Sequence, residues 1–262
     1  MNRIDKTFAE LKAQNKKALI TFITAGDPDY NTTEALVLEM ERQGANIIEL
    51  GVPFSDPIAE GPTIQEASLR ALEGGTTLAG IFEMVKRLRT KTQVPLVLMM
   101  YVNTIYCFGT ERFFSLCEET GIDAVIVPDL PFEEHDEIDE HANAHGVYPI
   151  NLVAPTSKDR IATIAANSKG FLYCVSSTGV TGTRSSFETD FDSFFNTIKQ
   201  HSPVPYAVGF GISSPEQAKE MQAYCDGVIV GSAIVKIIGN EKQNAKVPVG
   251  TFIKSLREAL DR

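Results

Sequence analysis

The stretch NIIELGVPFSDPIAEGPTIQ, residues 46–65, contains a strand, a loop and the start of a helix. Its first apolar residues follow one another without alternation, which indicates a strand covered on both faces, as in parallel sheets. Glu49 interrupts this apolar run, and a second acid, Glu60, follows in a loop flanked by Pro57 and Pro62. A strand followed by a loop and a helix predicts one unit of an alternating α/β fold.

Similar units recur along the whole chain. Eight short apolar segments alternate with helix-like segments, and they begin at residues 19, 46, 94, 123, 147, 170, 204 and 226. The helix-like segments have recognisable ends: Asn31 to Gly44 begins with capping residues and ends at a glycine. In SSPEQAKEMQA, Ser214 is the expected N-cap, Pro215 the first helical residue and Gln217 the partner in a capping box. Eight such alternations favour a (β/α)8 TIM barrel over a doubly wound open sheet.

Two helices are predicted in addition to the eight repeats. Ile4, Phe8 and Leu11 form one apolar stripe among charged residues, which indicates an extra amphipathic N-terminal helix and not a signal peptide. The interval between the second and third predicted strands is the longest, with room for helices at about 62–73 and 78–91. We therefore expect an additional helix between strands 2 and 3.

The composition allows one large domain and narrows the possible functions. The chain has 262 residues, of which 43% are hydrophobic, and no linker divides it, so we expect a single TIM-barrel domain over residues 1–262. A formal net charge of −10 argues against nucleic acid or anionic membranes as partners, although backbone amides can still hold a phosphate. The longest apolar run, at 94–102, is too short to span a bilayer. Four cysteines without a CxxC pair are typical of reduced, buried thiols, so we expect a cytoplasmic protein.

Active sites of TIM barrels lie at the carboxyl ends of the strands, which directs attention to Glu49. This residue either pairs with a neighbouring barrel residue or acts as a general acid/base whose pKa is raised by apolar surroundings. Glu60 is either a solvated loop residue or part of the same site. Asp56 can cap the turn before Pro57.

Glycine-rich loops follow the last three predicted strands. SSTGVTGTRSS after strand six is a candidate lid, whereas VGFGISSPEQ and VGSAIVK follow strands seven and eight. Glycines beyond the last two strands of a barrel commonly form a phosphate-binding cradle of backbone N–H groups. The histidines are expected on solvated surfaces without metal-ligand partners; they are His135, His141, His145 and His201.

Several motifs together resemble the tryptophan synthase alpha subunit family, in the same order and over essentially the whole chain. They are ITFITAGDP, IIELGVPFSDPIAEGPTIQ, VPLVLMMYVN, SSTGVTG, VGFGIS and VGSAIVK. The resemblance implies an aldol-type lyase that cleaves indole-3-glycerol phosphate to indole and glyceraldehyde 3-phosphate. Glu49 would exchange protons at indole C3 and the side-chain hydroxyl, and Glu60 would accept the indole N–H and stabilise the developing cation.

The chain departs from the family pattern at position 60, where Asp is usual and this sequence has Glu60. Glutamate keeps the charge and the acceptor oxygens but reaches one methylene further. The same role therefore requires the loop backbone to lie correspondingly further back.

The resemblance also implies the remaining site residues. The phosphate cradle maps to Gly182, Gly211, Gly231 and Ser232. Residues that line or close the substrate pocket map to Phe22, Met99, Ile126, Tyr173, Thr181 and Phe210.

A partner is implied as well. Alpha subunits of this family bind a pyridoxal-phosphate beta subunit in an alpha-beta-beta-alpha assembly, so this chain itself should need no cofactor and no metal. The partner-facing surface would include Pro53, Asp56 and Asn103. The alternatives are a free-standing lyase, a non-catalytic subunit that activates a beta partner, and another phosphate-binding barrel such as an indole-glycerol phosphate synthase or a sugar-phosphate isomerase.

Overall fold

Strands and helices alternate from one end of the chain to the other. The computed structural model describes residues 1–157, 159–175, 191–209 and 211–262. The strands are β1 Ala18–Thr24, β2 Ile47–Gly51, β3 Leu96–Met99, β4 Ala124–Ile126, β5 Tyr148–Pro149, β6 Leu152–Val153, β7 Leu172–Val175, β8 Tyr206–Gly209 and β9 Gly227–Val230. The α-helices are α1 Arg3–Ala13, α2 Tyr30–Arg42, α3 Pro62–Glu73, α4 Leu78–Arg89, α5 Val102–Phe108, α6 Thr110–Thr120, α7 Asp136–Ala144, α8 Arg160–Ala166, α9 Phe191–His201, α10 Pro215–Met221, α11 Ser232–Glu241 and α12 Lys246–Leu260.

All strand pairs are parallel, in the order β5-β4-β3-β2-β1-β9-β8-β7-β6. The two outermost strands, β5 and β6, are short parts of one barrel strand that Ile150 and Asn151 connect. Ile150 N donates to the Val125 carbonyl at 2.8 Å, and Tyr173 N donates to the Asn151 carbonyl at 2.9 Å. This connection closes the sheet, so the predicted (β/α)8 TIM barrel is confirmed, with β7, β8 and β9 as barrel strands six to eight.

The amino end of the barrel is covered by α1. Ile4, Phe8 and Leu11 are buried, and they belong to the same apolar cluster as the inward-facing strand residues. The Phe8 and Phe171 rings lie 6.0 Å apart. The Asn2 side chain caps the helix by accepting from Ile4 N at 2.9 Å. The predicted amphipathic N-terminal helix is therefore confirmed, and its apolar stripe faces the barrel interior.

The expected additional helix between the second and third strands is also confirmed, because both α3 and α4 lie there. Two more helices than predicted are present: α5 lies with α6 between β3 and β4, and both α11 and α12 follow β9. The cap of α10 differs in one bond from the expected capping box. Ser214 Oγ accepts from Gln217 N at 3.3 Å, but Gln217 Oε1 accepts from Ser213 N, one residue earlier than expected.

Polar side chains at the starts of three strands bind the neighbouring strand. Each accepts a hydrogen bond from a backbone N–H of the strand before it in the chain: Asn46 from Leu19 at 2.8 Å, Asp123 from Leu96 at 2.9 Å and Asp226 from Tyr206 at 3.1 Å. These bonds fix the relative height of successive strands at the amino end of the barrel. Asp123 is 3% exposed and also forms ion pairs with Arg3 and Arg89, both at 2.9 Å.

The cysteines are free: Cys107 is exposed and the other three are buried. The solvated surface expected for the histidines is wrong for His135, which is buried and whose pKa is lowered by that burial. His201 is the last residue of α9 and is exposed, as expected. In the described part of the chain, no helix is long and apolar enough to cross a membrane.

Candidate active site

Glu49 lies in β2 and faces the barrel interior, paired with Phe22 of β1 and Val97 of β3. Its side chain is fully buried, and neither carboxylate oxygen has a hydrogen-bond partner among the described residues. Burial penalises the charged form and raises the pKa of Glu49 to about 8. With this pKa the carboxyl group keeps its proton at neutral pH. No described residue binds it in a structural hydrogen bond or ion pair.

Tyr173 of β7 lies within electrostatic range of this acid. Burial raises the pKa of Tyr173 well above its usual value, and the Glu49 carboxylate raises it further. On the neighbouring strand β8, a Cβ added at Gly209 would lie 2.7 Å from the Tyr173 hydroxyl oxygen. Because Gly209 has no side chain, the Tyr173 phenol can lie against the backbone of β8.

An apolar wall surrounds the Phe22 ring near Glu49. Met99 pairs with Gly51 and with Ile126 along the adjacent strands. A Cβ added at Gly51 would approach Phe22 Cζ to 2.5 Å, so the glycine admits the ring. Three further residues, which the sequence did not single out, complete the cluster around Phe22 and Met99: Ile64, Ala67 and Val235. They come from α3 and α11, and their helical spacing is that of ordinary core residues.

Glu60 lies half-buried in the loop between β2 and α3. Its Oε2 accepts a hydrogen bond from the Tyr101 hydroxyl, and its backbone carbonyl accepts from Gln65 Nε2 at 2.9 Å. Burial raises the pKa of Glu60, the Tyr101 hydrogen bond lowers it, and the nearby charge of Asp129 raises it again. The loop acid is therefore held in place and is not simply solvated.

Tyr101 and Asp129 are site residues that the sequence did not identify. Both lie beyond the carboxyl ends of strands, after β3 and β4 respectively. The signal was available, because polar groups at these ends are where TIM-barrel sites are found. The sequence did not identify them because the runs VPLVLMMYV and DAVIVPDL continue past the ends of β3 and β4. Both residues therefore look like parts of the strands.

The start of α11 offers backbone donors at the same end of the barrel. Gly231 is the N-cap and Ser232 the first helical residue, and Ile234 N donates back to the Gly231 carbonyl at 2.8 Å. The first N–H groups of a helix lack partners within it and carry partial positive charge. Gly211, beyond β8, has a φ of 60°, which favours glycine. Thr181, Gly182 and Phe210 lie outside the described residues.

A cleft of about 670 Å³ lies at the opposite end, between α1 and the loops that precede β7, β8 and β9. Its walls include Phe8, Lys12, Lys199 and Tyr224. The candidate site lies elsewhere: Glu49 faces the barrel interior from β2, and Glu60 lies in the loop beyond the carboxyl end of that strand. Within the described ranges, no group of three or more His, Cys, Asp or Glu residues could hold a metal ion.

The closed parallel sheet defines the chain as a TIM barrel, and a buried acid that has no partner among the described residues is typical of an enzyme of this class. The family model described as tryptophan synthase alpha chain matches residues 8–260. The chain belongs to the tryptophan synthase alpha chain family. Membership makes it a carbon–carbon lyase for indole-3-glycerol phosphate in tryptophan biosynthesis.

Individual relatives agree with this assignment. The chain is 51% identical over 262 residues to a tryptophan synthase alpha chain of Thermoanaerobacter sp. (strain X514), covering 99% of this chain and 100% of the relative. A crystal structure of the alpha chain from Legionella pneumophila superposes with a TM-score of 0.89 at 37% identity, covering 100% and 98% of the two chains. A chain from a structure of the tryptophan synthase a2b2 complex of Pyrococcus furiosus superposes with a TM-score of 0.82 at 37% identity. The match covers 92% of this chain and 98% of that one.

Proposed function

We propose that Glu49 is the acid/base with which this chain cleaves indole-3-glycerol phosphate to indole and glyceraldehyde 3-phosphate. The observation that carries this assignment is a fully buried carboxyl group with no hydrogen-bond partner in the described structure and a pKa raised to about 8. A structural carboxylate at such a position would be paired, because an unpaired buried charge is costly. A general acid needs the opposite arrangement, with its proton retained near neutral pH.

A single acid/base group can both donate and accept the protons that the reaction moves. Protonated Glu49 delivers its proton to indole C3, which creates an indolenine with positive charge near the ring nitrogen. The resulting carboxylate takes the proton of the side-chain hydroxyl while the carbonyl forms and the carbon–carbon bond to C3 breaks. The bond electrons restore the aromatic indole, and Glu49 ends the cycle protonated.

Glu60 supplies the second charge in this proposal. Its carboxylate accepts the indole N–H and stabilises the positive charge that develops on the ring nitrogen. This interaction strengthens as the charge develops, so it favours the transition state over the ground state. The half-buried position of Glu60 supports the role, because electrostatic interactions are stronger away from bulk water.

The rest of the proposed site binds the substrate. Phe22, Met99 and Ile126 form apolar walls for the indole ring, and Tyr173 lies beside Glu49. Gly231 and Ser232 at the start of α11, together with Gly211 beyond β8, offer backbone donors to the phosphate. Thr181, Gly182 and Phe210 remain proposed site residues by family resemblance. We also propose that the whole of residues 1–262 acts as one domain.

Replacing Glu49 tests the proposal. Glu49→Gln keeps the size of the side chain but removes the transferable proton, so indole formation should fall by about 100- to 10,000-fold. Glu39→Gln is a matched control, because Glu39 is a buried acid on α2 whose partners are Arg42 and Gln43. The control should keep its turnover. Unchanged indole production by folded Glu49→Gln protein would show that the mechanism is wrong.

The Glu60 role has its own test. Glu60→Asp should retain part of the activity because an acceptor oxygen remains, whereas Glu60→Ala should lose about 100- to 1,000-fold in kcat. The measurement is the rate of indole formation at saturating substrate. Near-normal turnover of the alanine variant would make Glu60 an ordinary loop residue.

We further propose that the chain works in the cytoplasm, bound to a pyridoxal-phosphate beta subunit in an alpha-beta-beta-alpha assembly. Support comes from the Pyrococcus furiosus structure, which is of an a2b2 complex. Asp56 and Asn103 are exposed and available to a partner, as is Ile58 at 80% exposure, whereas Pro53 is buried within the chain. If a cognate beta subunit neither bound the chain nor changed its lyase rate, a free-standing lyase would be the better description.

A further inference from the structure

We propose that Tyr101 is a positioning residue for Glu60: its hydroxyl holds Oε2 of the carboxylate and leaves Oε1 to accept the indole N–H. This inference rests on the proposed function of Glu60. It assigns a role to a tyrosine that neither the sequence motifs nor the assignment of acid/base residues required.

The direction of the hydrogen bonds at the Tyr101 hydroxyl is fixed by its neighbours. Ala59 N–H donates to the hydroxyl oxygen at 2.8 Å, and the single hydroxyl hydrogen is donated to Glu60 Oε2. One hydroxyl thus binds two successive residues of the same loop, one through its backbone and one through its side chain. Besides Tyr101, only the backbone N–H of Glu60 itself acts on the carboxylate as a hydrogen-bond donor among the described residues, so the carboxylate keeps acceptor capacity for a ligand.

The Tyr101 ring is itself held firmly. It is 3% exposed and stacks on Phe54, with ring centroids 4.9 Å apart and an interplanar angle of 27°. The following residue, Val102, donates its backbone N–H to Asp129 Oδ1 at 3.0 Å, which fixes the backbone at the start of α5. A hydroxyl on such a supported ring can restrain a flexible glutamate that has one more rotatable bond than aspartate.

The electrostatics favour the tyrosine as donor and the glutamate as acceptor. Burial and the Glu60 hydrogen bond both raise the pKa of Tyr101, so the phenol keeps its proton. Asp129 raises the pKa of Glu60 by charge repulsion, while the Tyr101 hydrogen bond lowers it. Among the described residues, these are the titratable groups acting on Glu60. Removing the hydroxyl therefore leaves both burial and Asp129 working against the ionised form that the reaction needs.

Tyr101→Phe tests the inference in the full-length chain. The variant removes one hydrogen bond to a charged group while keeping the ring, so kcat for indole formation should fall by about 10- to 100-fold. The acidic limb of the kcat profile should move to higher pH, because Glu60 then ionises less readily. Tyr148→Phe is the matched control: its hydroxyl donates to Asp5 Oδ2 at 2.8 Å at the opposite end of the barrel. The control should change neither kcat nor the acidic limb.

A double-mutant cycle adds a readout that loss of stability would not produce. Aspartate at position 60 is one methylene shorter and cannot keep the same bond to Tyr101 on an unchanged backbone. The effect of Tyr101→Phe on kcat should therefore be smaller in a Glu60→Asp background than in the wild-type chain. Equal effects in both backgrounds would overturn the positioning role.

Two further results would also overturn it. One is a Tyr101→Phe variant with normal kcat and an unmoved acidic limb. The other is a lower melting temperature with an unmoved acidic limb, which would make the hydroxyl merely structural. Neither result touches the proposed function if Glu49→Gln and Glu60→Ala are inactive. Conversely, active Glu60→Ala protein would contradict the Glu60 role itself, whatever Tyr101→Phe does.

Discussion

At the level of the single residue, the buried carboxyl group of Glu49 makes the stability of the chain depend on pH. The pKa of its carboxyl group is about 8 in the folded chain and 4.5 for an ordinary glutamate. Between these two values the folded chain holds a proton that the unfolded chain has released. By linkage, the contribution of Glu49 to stability is fully present below pH 4.5 and is lost as the pH rises through 8.

Glu49→Gln should therefore be less sensitive to pH than the wild-type chain. Across pH 4.5 to 8 the free energy of unfolding of the wild type should lose up to about 5 kcal/mol relative to the variant, because glutamine does not ionise. Urea unfolding of both chains at several pH values measures this difference. The slope with pH is the diagnostic quantity, because the buried amide also lacks hydrogen-bond partners and changes the absolute stability.

Parallel pH profiles for the two chains would contradict this account of Glu49. A second consequence would be visible in turnover, because the proposed mechanism needs Glu49 protonated at the start of the reaction. Activity should decline above a pH of about 8 for this reason.

The sequence revealed some residues of the candidate site and concealed others for a physical reason. Glu49 was recognisable because a charged residue in a continuous apolar run has few ordinary explanations. Tyr101 was not recognisable, because tyrosine is common in strands and the residues that contact its hydroxyl lie in a different loop. Only the folded chain brings Ala59 and Glu60 to that hydroxyl.

At the level of elements, buried polar side chains join the amino ends of neighbouring strands. Asp123 has the most partners, since it binds Arg3, Arg89 and the backbone N–H of Leu96. Burial lowers the pKa of Arg89 to about 10, and Asp123 counteracts that effect. The acid thus connects β4 with β3, α1 and α4.

Asp123→Ala should destabilise the chain by about 3–5 kcal/mol, because it leaves the Arg89 charge without its buried partner. Urea unfolding at neutral pH measures the loss. Glu133→Ala is the control: Glu133 forms an ion pair with Arg160, but both side chains are about half exposed. Such exposed pairs contribute little, so the control should unfold almost as the wild type does. Equal losses in the two variants would show that burial of the pair is unimportant.

The sequence predicted the elements more reliably than their details. The segment VYPINLV is one apolar run, yet the barrel strand it forms pairs with β4 through Tyr148 and Pro149 and with β7 through Leu152 and Val153. This stagger follows from the tilt of strands in a closed barrel, which a local pattern does not contain. The unpredicted α5 lies in a segment too short and too close to an apolar strand to show helical periodicity.

At the level of the whole molecule, the two ends of the barrel differ. The proposed site lies at the carboxyl ends of the strands, and α1 covers the amino ends with Ile4, Phe8 and Leu11. Apolar side chains of the strands fill the barrel between these two ends. The overall architecture was therefore predictable from eight continuous apolar segments, each of which must be covered on both faces.

Phe8→Ala should separate the two ends experimentally. Phe8 belongs to the barrel floor, the apolar cover that α1 forms over the amino ends of the strands. Removing this buried aromatic ring should lower the free energy of unfolding by about 3–5 kcal/mol. At temperatures where the variant is folded, kcat and KM for indole formation should stay close to wild type, because the ring lies at the end away from Glu49. Thermal unfolding and steady-state kinetics on the same preparation provide both numbers.

Leu69→Ala is a suitable control, because this leucine on α3 is 54% exposed and loses little burial when truncated. A large fall in kcat for Phe8→Ala without loss of stability would show that the floor and the site are coupled.

The position of α1 also has a consequence for synthesis on the ribosome. Arg3 of this helix pairs with Asp123, and its Phe8 ring packs near Phe171. Those partners are translated more than a hundred residues later, so the apolar stripe of α1 has no barrel floor to cover while the nascent chain grows. Helix α1 is thus synthesised well before the barrel end that it covers, and its apolar stripe stays without its final partners during that interval.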